Sequence, residues 1–341
     1  MESTSVTPRS EPPAEYEVTI RQTGQSFTAG STERILGAAR RAGVWLPFEC
    51  GWGSCGTCKA TLDSGTVDLI FPDAPSYDER DVRRNRVLLC QSVATSDITI
   101  KPYRVSDEPA PDLATRDDEA ELIKIEELGP EISRFTFRLT APVEFREGQY
   151  AVLQVADGLR RCYSMEDLSG SDTVSFIAKR YVGGAGSNAL FALAEGTTVQ
   201  IELPYGGMWA KEGTAPIVLV AGGTGISPVL AMVRRLAAEK DPRPVRVYYG
   251  AGTPAELVAW DELHDLVASL PAGQLTGAVV EADELWDGAT GLVTEALAQC
   301  VELTADAEVY LAGPPRMVDA VLAVLKEHNV GMDRISYDKF G

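Results

Sequence analysis

The sequence predicts a multidomain chain in which a small α+β unit, an antiparallel β-barrel and an α/β domain with a parallel sheet follow one another. Three observations carry that prediction. At 341 residues the chain exceeds what one hydrophobic core usually fills, roughly 250 residues. Its charge is uneven: residues 1–104 hold 13 acids and 12 bases, whereas residues 214–341 hold 18 acids and 9 bases. The patterning also changes near Pro216, from short strands between glycine turns to alternating strands and helices.

Taken in order, residues 1–15 have no apolar run and read as a disordered polar tail, not a signal peptide. Residues 16–104 form the α+β unit. Tyr16–Ile20 alternates like a strand, and Ser31–Ala42 reads as a helix capped by Ser31 or Thr32. Further strands fit Lys59–Leu62, Val87–Ser92 and Asp97–Lys101. The acidic, proline-bearing stretch 105–118 offers no apolar face and reads as a linker. Residues 119–213 carry strands at Ala120–Glu126, Ser133–Leu139, Tyr150–Val155, Val174–Ala178 and Thr198–Glu202, spaced as in an antiparallel barrel. Residues 214–341 carry strands at Pro216–Val220, Val245–Tyr249, Leu275–Val280 and Glu308–Leu311. Helices there fit Pro228–Ala238, Leu292–Gln299 and Pro314–His328. That alternation implies a parallel sheet with a ligand crevice at the strands' carboxyl ends.

Composition excludes some functions. A formal charge of −19 argues against nucleic acid, whose phosphates would repel such a surface. Ala215–Met232 lacks charge, but Gly222-Gly223-Thr224-Gly225 at its centre, followed by Ser227-Pro228, fits strand, turn and helix better than a membrane span. Six cysteines without a secretory leader favour metal ligation over disulfides, and hence a reducing cytoplasm.

Cys50, Cys55, Cys58 and Cys90 have the spacing C-x4-C-x2-C…C of a plant-type [2Fe–2S] site. Three thiolates on one tight loop require unusual backbone angles, which Gly51, Gly53 and Gly56 supply. A structural zinc site is the competing reading, but such sites usually pair C-x2-C units. Cys162 and Cys300 lack comparable neighbours and read as small buried hydrophobes.

Arg161-Cys162-Tyr163-Ser164 ends a strand and offers a cation for a pyrophosphate, a ring for stacking and a hydroxyl able to reach a flavin nitrogen. Gly183-Gly184-Ala185-Gly186-Ser187 opens a helix over Asn188–Leu193, where backbone amides favour an anion. Alone, the first is a chance tetrapeptide and the second an ordinary N-cap; in this order inside a barrel they signal FAD. Gly222, Gly223, Thr224 and Gly225 lie between a strand and a helix, as a dinucleotide loop requires, although the pattern is not G-x-G-x-x-G and could be an ordinary turn. Tyr249-Gly250 and Gly313-Pro314 close two further strands beside it. NADH is favoured over NADPH because Glu256, Glu281, Asp283 and Glu284 would repel a 2′-phosphate. Glu256 could accept from the ribose hydroxyls, or belong to a solvated loop.

With these motifs together, residues 16–341 resemble the one-chain NADH-dependent reductase components of bacterial multicomponent oxygenases, such as benzoate dioxygenase reductase. The resemblance implies a β-grasp ferredoxin followed by a ferredoxin–NADP reductase-like pair of FAD barrel and nucleotide domain. It places Tyr163 on the isoalloxazine, Ser164 near its N5 and Arg161 on the diphosphate. Lys179–Val182 would pass along the flavin, Gly184, Gly186 and Ser187 would hold its phosphates, and Gly222–Gly225 with Gly313 and Pro314 would carry the nicotinamide nucleotide. The C-terminal Asp338 and Phe340 would lie near the flavin and nicotinamide. Relatives often have cysteine where this chain has Ala312, so no thiol is expected to assist hydride transfer. Trp52 occupies a position that is commonly polar; it either packs on the ferredoxin core or anchors the acceptor protein.

NADH yields two electrons as hydride and a [2Fe–2S] cluster takes one at a time, a mismatch that FAD bridges. His264 and His328 fall on surface-like helices, so histidine chemistry is not expected. The expected protein is a monomer without a membrane span, delivering electrons to a terminal oxygenase component of Rieske-type dioxygenase or monooxygenase type. A reductase that feeds deoxysugar dehydration shares the architecture, and a plain electron carrier with regulatory domains is a third reading.

Overall fold

The computed structural model describes residues 14–48, 51–53, 55–103 and 115–340. The chain divides into two compact units, Met1–Thr115 and Arg116–Gly341.

The first unit is a five-stranded mixed sheet with one helix laid against it. Its strands are β1 (Glu15–Ile20), β2 (Ser26–Gly30), β3 (Lys59–Ser64), β5 (Arg86–Leu88) and β7 (Ile98–Pro102), in the order β2-β1-β7-β3-β5. A small ribbon pairs β4 (Val67–Leu69) with β6 (Ser92–Ala94). Alternation places Val18 and Ile20 in the core, while β1 runs antiparallel to β2 and parallel to β7. Helix α1 (Ile35–Arg41) is buried along nearly its whole length. It starts at Arg34, so Ser31 and Thr32 do not cap it as expected. Gly43, at φ +71°, ends it in the left-handed conformation that favours glycine. The Arg40 guanidinium then lies 3.6 Å from the Phe48 ring centroid. The predicted strand Val87–Ser92 is interrupted: Leu89–Gln91 turn as a 3₁₀ helix, which takes Cys90 off the sheet. α2 (Glu79–Arg83) has a reciprocal cap between Asp78 and Asp81.

In the second unit six strands form the barrel sheet: β8 (Arg116–Gly129), β9 (Ile132–Leu139), β10 (Tyr150–Ala156), β11 (Leu159–Ser164), β12 (Thr173–Lys179) and β13 (Thr198–Tyr205). Their order is β11-β10-β13-β8-β9-β12. Arg116, Asp117 and Asp118, placed in the linker by sequence, instead begin β8. Asp118 is buried, receives Arg116 at 2.8 Å and accepts from Thr140, so this acidic run is tied into the sheet. The edge strands meet where the Glu166 amide donates to the Ser175 carbonyl at 3.1 Å. Phe135, Phe137, Phe176 and Leu203 fill the interior. Helix α3 (Ala185–Phe191) starts three residues before its predicted position, which brings Gly186 and Ser187 into its first turn.

The rest of the unit is a doubly wound sheet. Its strands are β14 (Ile217–Gly222), β15 (Val245–Ala251), β16 (Gly273–Val279), β17 (Ala289–Thr290), β18 (Glu308–Gly313) and β19 (Ile335–Lys339), all parallel in the order β17-β16-β15-β14-β18-β19. Helices α4 (Ile226–Glu239), α5 (Trp260–Ser269), α6 (Val293–Leu297) and α7 (Pro315–Glu327) connect them. The uncharged stretch 215–232 is thus β14, a glycine turn and α4. Among the described residues no helix is long and apolar enough to cross a membrane. Ile132, Ile177 and Met208 of the barrel belong to the same apolar core as Ile226, Leu230 and Tyr249 of the nucleotide sheet.

Candidate active site and cluster-binding loop

In the first unit the cysteine loop is shaped by its glycines. Gly51, Gly53 and Gly56 have φ of +67°, +99° and +75°, a region costly for any side chain. A Cβ on Gly53 would also lie 3.0 Å from Ala74. The Gly53 carbonyl accepts from the Ser76 hydroxyl at 2.7 Å and the Ser76 amide at 3.1 Å, tying the loop to the segment before α2. Lys59, directly after Cys58, reaches the Asp81 carboxylate at 2.7 Å, and Arg86 approaches it at 3.3 Å. Burial pushes the Asp81 carboxyl upward, but hydrogen bonds from Lys59, the Asp78 backbone and Arg86 outweigh it and leave the group below the usual carboxylate range.

Cys58 and Cys90 are buried with their sulfurs 3.2 Å apart, far beyond a disulfide bond of about 2.05 Å. Cys55 is exposed, its sulfur 3.4 Å from the Thr57 amide. Cys50 lies outside the described residues, and among these no three metal-binding side chains are gathered into one group. The thiols of Cys58, on the glycine-shaped loop, and Cys90, on the 3₁₀ turn, converge and fit the chemistry of an iron–sulfur ligand set. Trp52 is half-buried.

The second unit brings the two flavin motifs together. In β11, Tyr163 pairs with Ala151 and Ser164 with Tyr150 of β10. The Tyr163 ring packs on the barrel core, 6.1 Å from Phe176, and burial raises its phenol. Arg161 runs directly over Gly186: a Cβ there would come within 2.5 Å of the guanidine Nε. The Ser187 hydroxyl accepts from the Tyr181 amide at 3.1 Å and donates to the Gly184 carbonyl at 3.2 Å, closing the turn before α3. Val182 at that turn is fully exposed. A cation held against glycine backbone, with an aromatic ring two residues on, is a donor set suited to a diphosphate and an isoalloxazine.

The nicotinamide motifs meet where the sheet order reverses, between β14 and β18. A Cβ on Gly225 would overlap the Ala312 carbonyl at 2.0 Å, and one on Gly222 would strike the Met317 sulfur at 2.2 Å. Gly223, at φ +54°, and Thr224 are half-exposed at the strand end, and space is open beside Gly223. Gly313 is buried and Pro314 exposed. The C-terminal tail, not foreseen as a strand, is β19. Its Asp338 pairs with Ala312, and the Phe340 amide donates to the Gly313 carbonyl at 3.2 Å. The tail therefore ends beside the glycine turn.

Three of the positions assigned to the nucleotide are packed or paired. The Tyr249 ring is fully buried and stacks on Trp260, with centroids 6.4 Å apart, so it supports the sheet. Gly250 makes room for Val293, whose Cβ would lie 2.7 Å from an added one. Glu256 does not stand free at the strand end; it accepts from Lys179 at 2.6 Å, and that contact holds its carboxyl below the ordinary range. Sequence reading also missed a charged network: Arg134, Glu166, Arg234 and Glu262. These residues lie 28 to 128 positions apart along the chain, so no local pattern marks them.

The fold defines a flavin- and pyridine-nucleotide-dependent electron-transfer protein with its own ferredoxin. Family models match in that order: a 2Fe-2S iron-sulfur cluster binding domain over residues 18–95, an oxidoreductase FAD-binding domain over 119–209 and an oxidoreductase NAD-binding domain over 219–323. The chain is 34% identical over 334 residues to the ferredoxin–NAD(+) reductase component of an alkene monooxygenase system from Xanthobacter autotrophicus, covering 93% of this chain and 98% of that one. It is 35% identical over 321 residues to the ferredoxin–NAD(P)(+) reductase CarAd of Metapseudomonas resinovorans, covering 92% and 96%. A solved ferredoxin reductase in carbazole 1,9a-dioxygenase superposes with a TM-score of 0.87 at 32% identity, covering 97% of this chain and all of that one. The chain belongs to this family of reductase components of oxygenase systems.

Proposed function

We propose that this reductase takes electrons from NADH, passes them through FAD to a [2Fe–2S] cluster on Cys50, Cys55, Cys58 and Cys90, and hands them to a terminal oxygenase component. The observation that carries this reading is the Arg161–Gly186 contact, which joins both flavin motifs in a chain that also holds the cysteine loop. Bound FAD supplies the conversion from two-electron to one-electron chemistry. The chain's own residues bind and orient. Arg161 would neutralise the diphosphate, Tyr163 would support the isoalloxazine, Ser164 would donate to it and Lys179–Val182 would border it. Gly184, Gly186 and Ser187 allow close approach of the phosphates. Gly222–Gly225 with Gly313 and Pro314 would carry the nicotinamide end, with Asp338 of β19 and the following Phe340 beside it.

NADH is preferred because Glu281, Asp283 and Glu284 are exposed at the end of β16, and Glu256 occupies the nearby cation Lys179. The relatives' names place them in monooxygenase and dioxygenase systems, which favours an oxygenase over a deoxysugar dehydratase as acceptor. A reducing cytoplasm suits the thiolate ligands, and the chain is read as a monomer.

Trp52 beside the cluster is the proposed anchor for the acceptor. Truncating a buried anchor costs roughly 2 kcal/mol or more, about thirtyfold in affinity. W52A should slow electron delivery to the oxygenase component and spare NADH-driven reduction of a small dye. Normal coupling to the partner would refute the anchor, and loss of the cluster or of folding would make Trp52 core.

A further inference from the structure

Between the barrel and the nucleotide sheet lies a charged network outside both cofactor motifs. Arg134 of β9 faces two carboxylates: its Nε is 2.5 Å from Glu166 Oε1, and its Nη2 donates to Glu262 Oε2 at 2.8 Å. Arg234 of α4 pairs with the other oxygen of Glu262 and donates to the backbone carbonyl of Glu166. The side chains of Glu166, Arg134 and Arg234 are 1%, 16% and 19% exposed, so solvent screens them little. Two members lie close in sequence to the assigned motifs, and the other two hold them. Glu166 lies two residues beyond Ser164, the last residue of the strand assigned to the flavin. Arg234 stands on the helix that continues the Gly223–Gly225 turn, and Glu262 on α5 braces that helix. Beside them the Ile177 amide of β12 donates to the Ser227 hydroxyl of α4 at 3.3 Å, a second tie between the same elements.

Burying the Glu166 carboxylate and largely covering two guanidinium groups is costly unless they satisfy one another. An apolar contact would hold the domains together as well, as the shared core around Ile132 and Ile177 does. What charges add is direction, because paired guanidinium and carboxylate groups tolerate little rotation. We infer that Arg134, Glu166, Arg234 and Glu262 are positioning residues for hydride transfer, fixing the angle between the flavin strand and the helix that carries the nicotinamide turn. The inference rests on the assignment of those two ends to FAD and NADH. Misplacement by about 1 Å costs on the order of a hundredfold in such a transfer.

The test uses the FAD-loaded full chain. Glu262 is the accessible member, its side chain 37% exposed, so E262Q preserves size and folding while weakening both arginine contacts. In anaerobic stopped flow with NADH and 4-deuterated NADH, E262Q should lower the limiting rate of flavin reduction at least about tenfold. The hydride isotope effect and the long-wavelength charge-transfer absorbance should change, while FAD content and the Kd for NADH stay within about threefold. E262D should recover most of the rate. A wild-type rate, isotope effect and charge-transfer band in E262Q would overturn the inference. So would a loss fully explained by reduced FAD content or a lowered Tm. R234K serves as a second variant should E262Q prove unstable, with the same readouts and outcomes. Absence of NADH-driven flavin reduction in the wild-type chain would instead refute the cofactor assignment itself.

Discussion

Replacing Gly186 by alanine tests the flavin site where the geometry is tightest. The new Cβ would fall 2.5 Å from Arg161 Nε, 2.6 Å from its Cγ and 2.9 Å from its Cδ. Ordinary carbon contacts need about 3.5–4.0 Å, so the arginine must retreat by roughly 1 Å. Because the clash strikes the middle of the side chain, the guanidinium moves with it. Losing one charge-assisted hydrogen bond to a phosphate costs about 1.5–3 kcal/mol, or about 10- to 150-fold in FAD affinity. Helix propensity acts in the opposite direction, since alanine within a helix is favoured over glycine by roughly 0.5–1 kcal/mol. G186A should therefore weaken FAD binding without a comparable fall in the apoprotein's thermal stability. Flavin-fluorescence titration of the apoprotein gives the Kd, and thermal unfolding supplies the control. R161A should weaken binding by a similar factor, and the double variant should be little worse than either single one. A Kd within twofold of wild type in G186A, or full additivity with R161A, would refute the claim that Arg161 reaches the diphosphate across Gly186.

Two further outcomes follow from the site. C55S should abolish the [2Fe–2S] EPR signal and visible bands while leaving NADH-driven flavin reduction largely intact; an unchanged spectrum would remove Cys55 from the ligand set. NADH should exceed NADPH in kcat/KM by at least about tenfold, near 1.4 kcal/mol, with E256Q narrowing the gap because it releases Lys179. Equal use of both nucleotides by the wild type would show that another cation reaches the 2′-phosphate.

The sequence alone determined the ligand chemistry and the order of the modules. Cysteine spacing, the glycine turns and the Arg-x-Tyr-Ser strand end act over a few residues, where local backbone geometry decides what a side chain can do. The period change near Pro216 separated barrel from parallel sheet for the same reason. Tertiary structure decided what depends on distant partners. The strand character of the C-terminal tail arises from its pairing with β18, and nothing local in Tyr337-Asp338-Lys339-Phe340 demands it. The packing of the Tyr249 ring on Trp260 and the core was set by the tertiary structure. The pairing of Glu256 with Lys179 of β12 at 2.6 Å, across 77 positions of sequence, was likewise decided by the fold. The network of Arg134, Glu166, Arg234 and Glu262 shows the limit most clearly. A buried charge is tolerable only beside its partner, and which residues become partners is settled by how the strands and helices pack.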